Sequence, residues 1–239
     1  SLLSKWLPSI NTSNVEARTL ASKLCQSLKM KKEEYRKTLS YLRKDLIIEN
    51  NLRERNYTFD YAKVPGGAMY KYKMAFLTND VERYHEYLNN VTNGEEKMNT
   101  QTLYPYQVIR SLQDYSISNE QKEVLDVIWK NFDRTNITSK TIVVRDGSGS
   151  MTVSNNGVSP LDVATSLAIL FAEQLTGEFK DTFITFSSDP KIVKIKGETI
   201  AEKYKFISKF NDCSTTNIKK VYDLILEVYK NPKFTKEDA

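Results

Sequence analysis

Short apolar segments alternate with long amphipathic ones in the second half of the chain, and this alternation most strongly limits its possible folds. The β-branched run TIVV at 141–144 precedes SPLDVATSLAILFAEQL, in which Ser159 can cap a helix and Pro160 fits its first position. DTFITFSS and KIVKIKG are predicted as further strands, the second alternating apolar and basic residues like an edge strand. IAEKYKFISKF and IKKVYDLILEVYK are predicted as further helices. This order is typical of a doubly wound, mainly parallel sheet.

The first 135 residues are predicted to be helical throughout. Leucines and tyrosines recur at three- and four-residue spacing, which indicates amphipathic helices, and PGG at 65–67 is expected to end one element before a short helix at 68–77. Leu20, Leu24 and Leu28 should form one apolar face, after a cap from Thr12, Ser13 or Asn14. Further helices are expected at 80–92, 103–113 and 118–132.

Short helices joined by short breaks predict stacked helix pairs in the first half of the chain. Together with the alternating strands and helices of the second half, they predict the fold class α + α/β. We expect a HEAT-like helical-repeat region over 1–135 and an α/β domain over 136–239, with the boundary at 133–139. We also expect truncation at both termini, because the chain lacks an initiator Met and ends before the next strand should appear.

Composition excludes several classes of protein. Hydrophobic residues make up 40% and charged residues 27%, which is typical of a folded globular chain. Two cysteines, Cys25 and Cys213, rule out a disulfide framework, and the single histidine, His85, leaves little material for zinc sites or Ser-His-Asp catalysis. No signal peptide or membrane-spanning run is visible, so we expect a cytoplasmic or intracellular viral protein that is not secreted.

The segment DGSGSM after TIVV is the strongest candidate site. Side chains two apart in an extended segment point the same way, so Asp146, Ser148 and Ser150 would offer one carboxylate and two hydroxyls to one point. Such hard oxygen ligands favour Mg²⁺ or Mn²⁺, with Ca²⁺ as another option, over zinc. The alternative is an ordinary solvated turn rich in serine and glycine.

This segment resembles the D-x-S-x-S signature of von Willebrand factor A domains, which opens their metal-ion-dependent adhesion site. The resemblance implies a divalent cation that accepts an acidic group from a partner protein. It assigns the family's threonine ligand to Thr216, with Thr215 as the alternative. The family's third-loop aspartate has no counterpart here, since Asp189 follows a different strand.

A second resemblance extends over nearly the whole chain. KWLPS, YRKTLSYLRKDLIIEN, DYAKVPGGAMYKY, FITFSS and TTNIKKVYDLIL are similar to segments of an uncharacterised Ro-like family found in plants, bacteria and large DNA viruses. Its members join a TROVE-type helical region to a von Willebrand A domain. The Ro autoantigen has a similar two-part plan with an RNA-binding helical ring, so the resemblance implies structured RNA as a further partner.

Positive charge is concentrated near the N-terminus, where residues 1–50 contain ten Lys or Arg against five Asp or Glu. Cations there could contact RNA phosphates, and Tyr35 and Tyr41 could stack on bases. The alternative is a solvated helix face with tyrosines in the core, and the same choice applies to MYKYK at 69–73. The candidate RNA-binding residues are Lys29, Lys31, Lys32, Arg36, Lys37, Arg43 and Lys44.

Taken together, these patterns favour a non-enzymatic binding protein with a metal-dependent site for an acidic partner group. Neither a membrane nor a small-molecule cofactor is expected as a partner. The alternative is a structural or assembly component, for example of a viral particle, with a metal-free A-like domain. A metal-dependent hydrolase is the least favoured class, because the motif holds one carboxylate and no evident general base.

Overall fold

The computed structural model describes residues 2–43, 48–134, 141–155, 157–212 and 214–230, and it is mainly helical. No helix in these ranges is both long and apolar enough to cross a membrane. The α-helices of this part are α1 (Leu2–Trp6), α2 (Val15–Ser27), α3 (Lys32–Leu42), α4 (Ile48–Arg53), α5 (Gly66–Asn79), α6 (Val81–Thr92), α7 (Pro105–Ser111), α8 (Asn119–Lys130), α9 (Pro160–Ala172), α10 (Ile200–Ile207) and α11 (Ile218–Tyr229).

Helix starts follow the capping chemistry of the sequence. Asn14 is the cap of α2, where its side chain accepts a hydrogen bond from Ala17 N at 2.9 Å. Ser159 caps α9 through Leu161 N at 3.1 Å, and Pro160 occupies the first helical position. These contacts satisfy backbone N–H groups that have no partner within the helix. The predicted caps and helix starts are confirmed at both places.

The predicted break at PGG is wrong in detail, because both glycines lie inside the first turn of α5. Pro65 precedes the helix, and Gly66 is buried where the backbone of Asn99 passes. A Cβ at Gly66 would lie 2.1 Å from the carbonyl oxygen of Asn99. The glycine therefore permits a close approach between two chain segments and does not end a helix.

The sheet has three strands in the order β1-β2-β3: β1 (Val144–Asp146), β2 (Thr182–Phe186) and β3 (Ile192–Lys194). β1 pairs with β2 in parallel, with Asp146 opposite Phe186, whereas β3 is antiparallel to β2. Helix α9 connects the parallel pair, as a parallel crossover requires. Helices combined with a small mixed sheet confirm the α + α/β class.

Two clusters of buried apolar residues hold these elements. The larger cluster runs from α5–α8 into α9, the sheet and α10, and includes Phe76, Trp129, Ile169 and Phe183. It therefore crosses the predicted boundary at 133–139, most of which lies outside the described residues. Among the described residues, the smaller cluster has four buried members from α2 and α3, namely Ala21, Cys25, Tyr35 and Leu39, with partly buried residues such as Leu24 packed against them.

The predicted apolar face of α2 is wrong by about a quarter turn. Leu20 and Leu28 are 52% and 56% exposed, whereas Ala21 and Cys25 are buried. Small side chains on the buried face allow α2 to approach α3 closely. Burial of Cys25 agrees with its predicted place in the core.

Polar contacts around Glu173 reinforce the junction between α8, α9 and α10. The Glu173 carboxylate, 14% exposed, accepts from Lys203 Nζ at 2.8 Å and Arg134 Nη1 at 2.9 Å. It also accepts from the indole N–H of Trp129, at 3.1 and 3.2 Å to its two oxygens. One carboxylate, directly after α9, thus contacts two cations and a core tryptophan.

Candidate metal centre

The segment that follows β1 lies at the carboxyl edge of the parallel strand pair. Asp146 is the last residue of β1, and its Oδ1 accepts a hydrogen bond from Ser148 N at 2.9 Å. No group in the described part of the chain donates to the other carboxylate oxygen, Oδ2. The carboxylate is therefore oriented by its own loop, with one oxygen left for a ligand.

The two serine hydroxyls of the motif converge, as their alternate spacing predicts. Ser148 Oγ and Ser150 Oγ lie 3.1 Å apart. Ser148 is buried at 7% exposure, whereas Ser150 is exposed to solvent. A short 3₁₀ turn, Gly149–Thr152, brings the second hydroxyl round to the first.

The contact is a hydrogen bond between the two hydroxyls, and its length also fits two adjacent ligands of one small divalent cation. In an octahedral site with bonds of about 2.1 Å, neighbouring oxygens lie about 3.0 Å apart, whereas calcium bonds near 2.4 Å would need about 3.4 Å. The hydroxyl pair and the carboxylate are all hard oxygen donors. The residues present therefore fit a hard divalent cation such as Mg²⁺, Mn²⁺ or Ca²⁺.

A second loop lies against the motif. Asp212 N donates to the carbonyl oxygen of Gly147 at 3.1 Å, and Asp212 Oδ1 accepts from Ser214 N at 2.9 Å. Ser214 Oγ in turn accepts from Ser188 N at 3.0 Å, at the end of β2. Three loops therefore meet at this edge of the sheet, where ligands of open α/β sheets bind.

The first two loops pack closely at Gly147. A Cβ there would lie 3.1 Å from the carbonyl oxygen of Phe210 and 3.2 Å from Arg145 Nη1. Both distances are shorter than ordinary carbon contacts. Gly147 therefore lies at the contact with the second loop.

Arg145, which the sequence analysis did not identify as a candidate, links the motif strand to α9 and to the second loop. It is 2% exposed and donates to Thr165 Oγ1 on α9 at 2.9 and 3.1 Å and to Asn211 Oδ1 in the second loop. Its Nη1 has no acceptor among the described residues, and burial lowers the pKa of Arg145 to about 10. An arginine between a β-branched run and an aspartate was the signal available in the sequence.

The predicted threonine ligand lies in the second loop, but its role stays a prediction. Thr216 and Thr215 are both exposed, and neither forms a hydrogen bond within the described residues. Asp189 lies 3.8 Å from Lys191 as an exposed ion pair. Across the described residues, no three His, Cys, Asp or Glu side chains form a metal-binding group. Hydroxyl oxygens would therefore have to supply most of the protein ligands here.

The basic residues proposed for RNA do not form one uniform surface. Arg43 is engaged, since it donates to Ser4 O and Ser9 Oγ at 2.7 Å each and to Leu7 O. Lys37 pairs with Glu33 at 2.9 Å, and Lys44 lies outside the described residues. The remaining four are exposed: Lys29, Lys31, Lys32 and Arg36.

The tyrosines of the same run divide between core and surface. Tyr35 is buried and donates to Pro8 O at 3.0 Å, whereas Tyr41 is 78% exposed. Stacking on a base is therefore open to Tyr41 only. His85 is half-buried on α6, and Cys213 lies outside the described residues.

Comparisons with known proteins place the chain in a family. No solved structure matches it. It is 29% identical over 253 residues to an uncharacterized protein of Acanthamoeba polyphaga mimivirus, a match covering 98% of this chain and 43% of that protein. The chain thus spans less than half of the curated relative it matches. The family described as Domain of unknown function (DUF7788) matches residues 140–239. Domain of unknown function (DUF2828) matches residues 1–137, more than half of the 239 residues, and the chain therefore belongs to the DUF2828 family.

Proposed function

We propose that the chain is a non-enzymatic binding protein whose divalent-cation site, formed by Asp146, Ser148 and Ser150, receives an acidic group from a partner protein. The observation that carries the proposal is the 3.1 Å separation of the two serine hydroxyls beside a carboxylate with one unused oxygen. Thr216 is the proposed fourth ligand, from the second loop.

Charge supports an acidic partner. One carboxylate neutralises half of a divalent cation, and hydroxyls add no charge. A site that keeps an open position and a net positive charge attracts an anionic oxygen ligand. The exposure of Ser150 leaves the cation accessible from solvent.

The strand order supports a von Willebrand A-type fold for 136–239 as part of this proposal. The motif strand β1 is followed by α9 and by the parallel strand β2, and then by the short antiparallel strand β3. Crossovers of this kind bring the loops after β1 and β2 to one edge. We likewise propose a TROVE-type helical-repeat arrangement for the helices of 1–135.

Cation binding is tested by titrating Mn²⁺ into the full chain and following the free ion by electron paramagnetic resonance. Asp146→Ala should weaken Mn²⁺ binding by at least about tenfold, since even supporting residues around metal ligands cost that much. Ser148→Ala should weaken binding less, because it removes a neutral ligand. Mg²⁺ should compete with Mn²⁺.

Asp189→Ala is the matched control, because it removes an exposed aspartate from the neighbouring loop. It should leave Mn²⁺ affinity unchanged. Equal affinity for Asp146→Ala and the unaltered chain would contradict the metal role. A folded chain with no saturable Mn²⁺ binding would instead favour the assembly component with a metal-free domain.

RNA binding by the helical region is a second part of the proposal, supported by the four exposed cations Lys29, Lys31, Lys32 and Arg36. Phosphate contacts of this kind give salt-dependent affinity without reading sequence. The double variant Lys31→Glu/Lys32→Glu should lower the affinity for a structured RNA by about tenfold in a filter-binding assay. The control Lys205→Glu/Lys209→Glu should bind as the unaltered chain does, and equal binding by both doubles would contradict the assignment.

A further inference from the structure

A cleft in the helical region has the features of a small-ligand site. It lies between α5, α7 and the start of α8, and its volume is about 380 Å³. Pockets for small molecules span roughly 300–1,000 Å³. Its walls include Tyr70, Lys73, Tyr106, Arg110, Ser111 and Asp114.

Lys73 is a half-buried cation without an anion. Its Nζ donates to Tyr70 O at 3.2 Å and lies 4.3 Å from the centre of the Tyr70 ring. No carboxylate in the described part of the chain comes within 4 Å of Nζ. Burial lowers the pKa of Lys73 from its usual range. Neighbouring Lys71, by contrast, is exposed.

Arg110 presents a second cation to the same cleft. Its side chain donates no hydrogen bond and forms no ion pair among the described residues. Both terminal nitrogens lie 3.3 Å from the position a Cβ would take on Gly157. Burial raises the pKa of Asp162, and the nearby Arg110 opposes this rise. Oδ1 of Asp162 accepts a hydrogen bond from the side chain of Gln113. The planar guanidinium therefore keeps donors for an anion such as phosphate.

The one acidic side chain of the cleft does not neutralise these cations. Asp114 Oδ1 accepts from the backbone N and the Oγ of Ser116, at 2.9 and 2.6 Å. These contacts lower the pKa of Asp114 and hold its carboxylate in its own turn. With two cations and one such carboxylate, the cleft keeps a net positive charge.

Aromatic rings flank the cations. Tyr106 lines the cleft and stacks on Tyr104, with ring centres 5.8 Å apart and planes 19° apart. The Tyr70 hydroxyl donates to Gln107 O and contacts Ser111 Oγ at 2.6 Å, which fixes its ring in the wall. Aromatic faces of this kind accept a planar base by stacking.

We propose that this cleft binds a mononucleotide, with its phosphate between Lys73 and Arg110 and its base against Tyr106. The phosphate supplies an anion for Lys73 and an acceptor for the guanidinium of Arg110, and the ring of the base covers the tyrosine. The residues that line the cleft include none of the motif at 146–150.

Isothermal titration of the full chain with adenosine monophosphate at low salt tests the proposal. Lys73→Met and Arg110→Met should each weaken binding by about tenfold, the loss expected for one charge-assisted contact. Lys71→Met is the matched control, because it removes an exposed lysine from the same helix, and it should leave the affinity unchanged. Circular dichroism checks that each variant folds. If Lys73→Met does not fold, the binding of Arg110→Met, which changes an exposed residue, tests the proposal.

Two further probes separate the parts of the ligand. Adenosine without phosphate and ribose 5-phosphate without a base should each bind more weakly than adenosine monophosphate. Equal binding of adenosine would overturn the role of the cations, and equal binding of ribose 5-phosphate would overturn the nucleotide assignment. Absence of saturable heat from the folded chain, or full affinity in the Arg110 variant, would overturn the site itself.

Discussion

The helices α2 and α3 and the rest of the molecule are held in different ways. Four buried residues form the small cluster between α2 and α3, whereas the larger cluster joins helices and sheet through one continuous core. The N-terminal segment depends on polar contacts to α3, above all on Arg43 and on the Tyr35 hydroxyl. A small core buries too little apolar surface to fix its helices alone, so specific hydrogen bonds become decisive there.

The Glu173 carboxylate is a charged contact point in the larger region, and its removal should have the largest effect. Glu173→Gln keeps the volume but leaves Lys203 and Arg134 without an anion in a mostly buried junction. Removing one partner of a buried pair costs about 3–5 kcal/mol when burial is complete, so we expect about 3 kcal/mol here. Urea unfolding followed by the fluorescence of the buried Trp129 measures the loss.

Glu33→Gln is the matched substitution in the smaller region. Its partner Lys37 lies at 2.9 Å, but both side chains are about 70% exposed. Exposed pairs of this spacing contribute about 0.3–0.5 kcal/mol. Equal losses for the two glutamates would contradict the view that Glu173 holds a buried junction.

Arg43→Met should have the next largest effect, and it should be local. The substitution removes donors to Ser4 O, Leu7 O and Ser9 Oγ while keeping an apolar stem. We expect a loss of about 1.5 kcal/mol, the lower range for hydrogen bonds from a charged group. Hydrogen exchange should accelerate in α2 and α3 but not in α8, whose amides serve as the internal reference. Uniform acceleration across all helices would show that the two regions unfold together.

The two regions also differ in how far the sequence predicts them. Capping residues located the starts of α2 and α9 well, because caps act within one turn. The buried face of α2 was misjudged, since only packing against α3 shows that Ala21 and Cys25 face inward. Likewise, no sequence feature near Gly66 indicates that the backbone of Asn99 packs against it.

The same limit applies to the sites. Alternate spacing predicted that Ser148 and Ser150 converge, because that geometry is local. Arg145 contacts residues 20 and 66 positions away, and such contacts come only from the folded chain. In the sequence Lys73 is one of the two lysines of MYKYK, and nothing there shows that it shares a cleft with Arg110 of α7.

Alkaline pH should produce a smaller effect than the Glu173 and Arg43 substitutions, and it should fall on the larger region. Burial raises the pKa values of Tyr61, Tyr84 and Tyr87, and for Tyr61 the hydrogen bond to Asp80 Oδ2 at 2.8 Å adds to the rise. In the smaller region burial likewise raises the pKa of Tyr35.

Because the folded pKa values of these phenols lie above the ordinary value of 10.0, their contribution to stability is complete below pH 10 and is lost as pH rises above it. At pH 10 each phenol is half ionised only in the unfolded chain, which lowers the free energy of unfolding by about 0.4 kcal/mol per group, or about 1 kcal/mol for three. Tyrosinate absorbance should therefore show at least three of the 14 tyrosines still protonated in the folded chain above pH 10, and ionised once denaturant is added. Ionisation of all the tyrosines in one step near pH 10, with the fold intact, would mean that the aromatic core is open to solvent. The contrast between a solvent-excluded core in the larger region and the polar contacts that hold the smaller region would then fail.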